Sequence, residues 1–189
     1  MENIDWKKIN YNLPHQKTLE ESKRRKEMFK QMDGNGNGFL SLAEIDKGVR
    51  DVLNLEEEVF HCKKAIMRAF QAAKNKYKSK SKYGPDYIEL LEFRYFLIYL
   101  RQYFEYWVMF TKLDTSGDHK INFDEFKSAI PQLEAWGVKM ENPRKTFDKV
   151  SKGDGNIIFD EFCTWAIQES LDLEDDEDIN DPDELKGKK

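Results

Sequence analysis

Residues 33–44 read DGNGNGFLSLAE, and residues 114–125 read DTSGDHKINFDE. Both stretches carry side-chain oxygens at their first, third, fifth, ninth and twelfth positions: Asp33, Asn35, Asn37, Ser41 and Glu44 in the first, and Asp114, Ser116, Asp118, Asn122 and Glu125 in the second. That spacing suits calcium. A hard cation of this size takes six to eight oxygens at about 2.3–2.6 Å, and such a loop supplies them from alternate side chains, one main-chain carbonyl and a terminal bidentate glutamate. The carbonyls fall to Phe39 and Lys120, and Ser41 acts directly or through water. Two ions are expected, with magnesium as competitor. The first loop brings two formal negative charges and the second three. Gly38 stands at the sharp turn of position six, whereas the other loop has His119 there. A left-handed backbone costs a residue with a Cβ about 1–2 kcal/mol, a cost that one extra carboxylate can offset, so comparable affinities of about 10⁻⁷–10⁻⁵ M are expected. Asp, Asn and Gly also cluster in metal-free turns. Two full matches with matching flanks argue against that reading here.

The flanks repeat four times. Glutamates recur at Glu44, Glu92, Glu125 and Glu161, each with an aliphatic residue four places earlier: Leu40, Ile88, Ile121 and Ile157. Loops of this kind pair in twos by a short antiparallel bridge, which sets Leu40 opposite Ile88 and Ile121 opposite Ile157. Phe29 and Met32, Phe110 and Leu113, and Phe147 and Val150 are spaced to lie on one buried face of each incoming helix; in the second unit only Phe70 is plain. The second unit fails as a cage, because Ser81, Tyr83 and Pro85 fall at positions one, three and five and the stretch is filled with lysine. The fourth is one residue short over Ser151–Asn156, so that either Val150 or Ser151 stands where an aspartate belongs.

From Leu90 to Leu113 the chain has neither glycine nor proline, which predicts one helix running from the second unit into the third and joining the two pairs rigidly. It carries Phe93, Tyr95, Phe96, Tyr99, Tyr103, Phe104, Tyr106, Trp107 and Phe110, either as core or as a partner groove. Five lysines between Lys74 and Lys82 make a solvated loop, or else a contact for anionic lipid or an acidic protein tail. The acid-rich stretch after Leu171 reads as a tail.

With 35% charged, 39% hydrophobic and 13% aromatic residues, the 189-residue chain is a core-forming one. Its net charge of −5 is split between basic runs such as Lys23–Lys26 and the acidic tail, with no continuous basic face for nucleic acid. No apolar run reaches the length of a membrane span, since Arg94, Arg101 and Glu105 interrupt the most hydrophobic stretch. The start MENIDWKK shows neither a signal-peptide core nor a glycine for myristoylation, and a cytoplasmic location is expected. Cys62 and Cys163 read as two reduced thiols.

Trp6 and Ile9, Pro14-x-x-Lys17-Thr18, Glu89-Leu90-Leu91-Glu92-Phe93-Arg94, Phe126-Lys127-x-Ala129-x-Pro131, Glu134-x-Trp136-Gly137-Val138 and Phe159-Asp160-Glu161-Phe162-x-x-Trp165-Ala166 together resemble the flagellar calcium-binding proteins, or calflagins, of trypanosomes. The likeness covers nearly the whole chain, and it implies a four-hand calcium sensor of cilia or flagella with a long second loop. Two departures stand out. Family members are tethered to the flagellar membrane through an acylated Met-Gly-Cys start, where this chain has Met1-Glu2-Asn3, and the fourth loop has lost its first aspartate.

The expected fold is all-α: two paired EF-hand lobes, with the second and fourth hands degenerate, joined by a continuous helix. The expected divisions are an N-terminal helical extension over 1–22, one pair over 23–100, another over 101–170 and the acidic tail over 171–189. The function expected is a calcium sensor that changes its contacts with a protein target in the cilium, flagellum or cytoskeleton, at the axoneme or inner membrane face. A constitutive axonemal subunit is the rival, and a calcium buffer a further one. An enzyme is disfavoured, because His15, His61 and His119 fall in unrelated contexts and no nucleophile-base pairing appears.

Overall fold

A computed structural model describes residues 4–53, 63–74, 76 and 86–171. Most of the lysine run, the residues Ser81, Tyr83 and Pro85, Cys62, His61 and the acidic tail after Leu171 lie outside the described residues. What is described is mainly helix. The chain falls into two compact units, Met1–Val108 and Met109–Lys189, and the boundary lies inside one long helix.

Unit 1 begins with α1 (Trp6–Asn12), capped by Asp5, whose carboxylate accepts from the Lys8 amide. Helix α2 (Leu19–Met32) starts at Thr18, which accepts from the Glu21 amide, and Glu20 and Glu21 in its first turn suit the positive end of the helix dipole. Its inward stripe is Arg25, Phe29 and Met32, spaced three and four residues apart. A two-residue strand β1 (Phe39–Leu40), α3 (Leu42–Asp51), α4 (Lys63–Lys74), β2 (Ile88–Glu89) and the start of α5 (Leu90–Leu113) complete the unit. Strands β1 and β2 pair antiparallel with Leu40 opposite Ile88, the register expected from the repeat. Gly48 on α3 lets α3 close on α2, since a Cβ there would meet Met32 Cγ at 2.4 Å. Phe29 packs edge-on against Phe93, with centroids 5.5 Å apart.

Unit 2 takes the end of α5 and adds β3 (Lys120–Asn122), α6 (Phe123–Ser128), α7 (Ile130–Ala135), α8 (Pro143–Val150), β4 (Asn156–Ile158) and α9 (Phe159–Glu169). Ile121 and Ile157 face each other across β3 and β4. Pro143 opens α8 behind an Asn142 cap, where a missing N–H costs nothing. The core is aromatic: Phe110 lies edge-on to Phe159 and Phe162, and Phe126 meets both Phe147 and Trp165.

Helix α5 is the uninterrupted run expected from its composition. Of its nine aromatics, Phe93, Phe96, Tyr103, Phe104, Tyr106 and Phe110 are buried, while Tyr95, Tyr99 and Trp107 are half-buried. This surface is core rather than open groove. Arg101 and Glu105, which seemed to break the hydrophobic stretch, are themselves buried and paired at 2.9 Å. Among the described residues no helix is long and apolar enough to cross a membrane.

Candidate metal centre

In the first loop the side-chain oxygens of Asp33, Asn35, Asn37, Ser41 and Glu44 accept from the loop's own amides. Asp33 caps the end of α2 and accepts from the Asn37 amide at 3.1 Å and the Gly38 amide at 2.9 Å. Asn35 Oδ1 accepts from the Asn37 amide, and Asn37 Oδ1 from the Phe39 amide. Gly36 and Gly38 supply the left-handed turns, with φ of 70° and 86°. Glu44 closes the ring. It sits on the first turn of α3, accepts from the Ser41 amide and hydroxyl through one oxygen, and receives the Asn35 side-chain amide at 3.0 Å on the other. Positions three and twelve, nine residues apart, therefore meet across the loop.

The loop at Asp114 repeats the arrangement. Asp114 accepts from the Gly117 and His119 amides, and Asp118 from the Lys120 amide. His119 adopts φ 62°, the left-handed turn the sequence demands of a residue with a Cβ, and its amide donates a hydrogen bond to Asp114 Oδ2 at 2.9 Å. Glu125 accepts from Thr115 Oγ1 and the Ser116 amide on one oxygen and from the Asn122 amide on the other, while Asn122 caps α6 by accepting from the Glu125 amide. Burial pushes the Glu125 carboxyl up, but the main-chain bonds from Asn122 and Ser116, joined by side-chain bonds from Ser116 and Thr115, outweigh it and hold the pKa below the usual value. These bonds hold Glu125 as a carboxylate although it is buried.

Among the described residues, no three carboxylate, imidazole or thiolate side chains gather as a metal cluster. Each loop instead offers two or three carboxylates together with amide, hydroxyl and main-chain oxygens. That mixed hard-oxygen set fits calcium and is a poor set for zinc or copper, which favour nitrogen and sulfur.

The FCaBP EF-hand domain family matches residues 9–100. The chain is 39% identical to the flagellar calcium-binding protein of Trypanosoma cruzi over 92% of its own length and 83% of the relative's. It is 37% identical to flagellar calcium-binding protein TB-24 of Trypanosoma brucei brucei, covering 93% of this chain and 81% of that one, and 37% identical to TB-1.7G of the same organism, covering 93% of this chain and 77% of that one. The chain belongs to the flagellar calcium-binding protein family.

Against this family background the two remaining glutamates stand apart. Glu92 occupies the twelfth position of the second repeat and accepts from the Glu89 amide at 3.0 Å, but its other oxygen is buried without a hydrogen-bond partner. Burial pushes its pKa up, helped by the Glu89 charge and opposed by the Glu89 amide. A raised carboxyl favours the folded state fully below the ordinary Glu range, and that contribution is lost as pH rises through the raised value. Glu92→Gln keeps an acceptor for the Glu89 amide and removes the buried charge. Thermal melts are expected to show a gain of about 1 kcal/mol, or roughly 2–4 °C, at pH 7 and little difference near pH 4; an equal shift at both would mean that ionisation is not the cause.

In the fourth repeat, the Ser151 amide bonds to the Phe147 carbonyl as Asp33 does to Phe29 and Asp114 to Phe110. Ser151, not Val150, is therefore the first position, and the loop closes one residue early. Lys152 makes up the difference with a left-handed φ of 52°, and its ammonium lies 3.3 Å from Glu161. A resident lysine thus approaches the glutamate that ends this loop. The sequence carries a signal for this in a lysine beside a shortened loop, but the pairing itself depends on how that loop folds.

Proposed function

We propose that this chain is a non-enzymatic calcium-binding protein of the cilium or flagellum, holding two ions in loops 33–44 and 114–125. The observation that carries the reading is the inward reach of Glu44 to Asn35 and of Glu125 to Ser116, which joins both ends of each loop around one centre. The ligands are Asp33, Asn35, Asn37, the Phe39 carbonyl, Ser41 and Glu44, and Asp114, Ser116, Asp118, the Lys120 carbonyl, Asn122 and Glu125. Magnesium competes for the same oxygens. The β1–β2 and β3–β4 pairings support four EF-hand units in two pairs, over 23–100 and 101–170, each with one working loop braced by a degenerate one. An N-terminal extension and an acidic tail flank them.

Calcium, when bound, supplies a hard dication around which the loop oxygens converge. Glu44 and Glu125 lie in the first turns of α3 and α6, so a change in either carboxylate is transmitted directly to its helix. This supports a sensor that alters its contacts with a protein target at the axoneme or inner membrane face. A constitutive axonemal subunit stabilised by metal is the second reading, favoured by the inward pose that hydrogen bonds already give both glutamates. Calcium titration in the presence of an apolar dye separates them. Enhanced dye emission is expected for the sensor; a higher melting temperature with unchanged emission would transfer the case to the structural reading.

A further inference from the structure

Helices α8 and α9 leave a groove of about 200 Å³ between them that the calcium reading does not use. Its floor is apolar, lined by the buried side chains of Val150 and Trp165. Its rim is basic. Lys149 and Lys152 stand on one side, and Glu161, Trp165 and Gln168, at spacings of four and three, form a stripe of α9 on the other. Among the described residues Lys149 meets no carboxylate, and its neighbour Asp148 is taken by Arg144 at 3.0 Å. Lys152 reaches Glu161 at 3.3 Å yet stays 74% exposed, and an ammonium has three donors, so one carboxylate does not exhaust it.

Size and lining select the occupant. Small-molecule sites run to about 300–1,000 Å³, so this groove suits one or two side chains rather than a cofactor. An apolar floor under two ammonium groups asks for an aliphatic residue beside carboxylates. Residues 172–178 read DLEDDED, in which Leu173 is followed by five consecutive acids. That stretch begins where the groove ends. Gln168 lies three residues before Leu171, and α9 stops between them in a left-handed turn at Ser170, φ 55°, with the Leu171 amide bonded back to the Ala166 carbonyl at 3.0 Å. Leu171 is itself buried, which pins the start of the segment at that end of α9. From Gln168 back to Glu161 is about 10 Å of helix, a distance that about three extended residues span. Leu173 is therefore within reach of Trp165, and Glu174 to Glu177 of the two lysines. A tether this short gives a local concentration of about millimolar, so contacts too weak to hold a separate acidic peptide suffice for this one.

We propose that the groove between α8 and α9 is a docking surface for the chain's own residues 172–178, with Leu173 over Val150 and Trp165 and the carboxylates of Glu174 to Glu177 against Lys149 and Lys152. The unit thereby closes its own groove, and an acidic partner from outside has to compete with a tethered segment. Neither metal loop supplies a residue to this contact, so it is tested in chelator; failure of calcium binding would leave the result intact.

Nitrogen-15 relaxation on the 189-residue chain reads the contact directly. Backbone order parameters of residues 173–177 are expected near 0.8 or about that value in wild type, and below about 0.6 in Lys149→Glu/Lys152→Glu, whose changes lie on exposed side chains. Leu173→Asp leaves every residue up to Leu171 as it is. It is expected to lower the same order parameters and to shift the Trp165 indole N–H and the Gln168 amide, while the Ile121 and Ile157 amides stay in place. Low order parameters in wild type overturn the proposal, as do high ones that neither variant lowers. If the double lysine variant fails to fold, Leu173→Asp decides alone: an unmoved Trp165 indole would overturn the contact. Order that is lost on tenfold dilution would mean that a second copy supplies the acidic segment, and would overturn the assignment to the same chain.

Discussion

Glu44→Gln and Glu125→Gln are each expected to lower calcium stoichiometry from two to one in calorimetry. Glutamine occupies the same volume and keeps a carbonyl that can accept from the Ser41 or Asn122 amide, so the local fold has its hydrogen bond in both variants. What disappears is one of the two oxygens of a bidentate carboxylate and its negative charge. The first loop falls from two formal charges to one and the second from three to two, and charge count is a main determinant of affinity in loops of this type. The first site is expected to lose more. Wild type is expected to bind two ions and not four, since Lys152 lies against Glu161 and the second repeat lacks acidic residues at its first, third and fifth positions. A variant that still binds two would remove its loop from the assignment.

Arg101→Ala is expected to destabilise the chain by about 3–5 kcal/mol, because it leaves the Glu105 carboxylate buried without its guanidinium partner. For a chain of this length that is a fall of roughly 6–20 °C in melting temperature. The side chain is 2% exposed and also bonds Asn10 and lies over Trp6, so packing is lost with the charge. Replacing both partners, as Arg101→Met/Glu105→Leu, is expected to recover most of the loss, since apolar residues of similar volume avoid desolvating an ion pair. Circular-dichroism melts check both variants. A loss below about 1 kcal/mol for Arg101→Ala would show the pair to be solvated, as exposed pairs are.

The geometry of the loops was legible in the residues, because it depends on neighbours a few places away. Asp33 to Glu44 spans twelve positions, and hydrogen bonds between residues two to nine apart shape the whole loop. The same locality explains why His119 could be assigned a left-handed turn and why Leu90 to Leu113 could be read as one helix: backbone freedom and the lack of a breaker act residue by residue. Leu40 and Ile88 are far apart in the chain, yet their pairing was readable from the internal repeat.

Tertiary structure decided what depends on distant partners or on small shifts of register. Arg101 and Glu105 read as interruptions of an apolar run, and only the return of Asn10 and Trp6 over α5 turns them into a buried, paired floor. Lys23–Lys26 read as a basic run, whereas Arg24 and Arg25 are fixed on the carbonyls of Tyr11, Pro14 and Gln16. In the fourth repeat, spacing left Val150 and Ser151 equal; the Phe147 carbonyl chose Ser151, and the left-handed turn at Lys152 brought its ammonium to Glu161. The physical reason is common to all three: side-chain spacing determines which groups point together along one stretch of backbone, but whether a charge meets water, a ring or an opposite charge is set by chain that arrives from elsewhere.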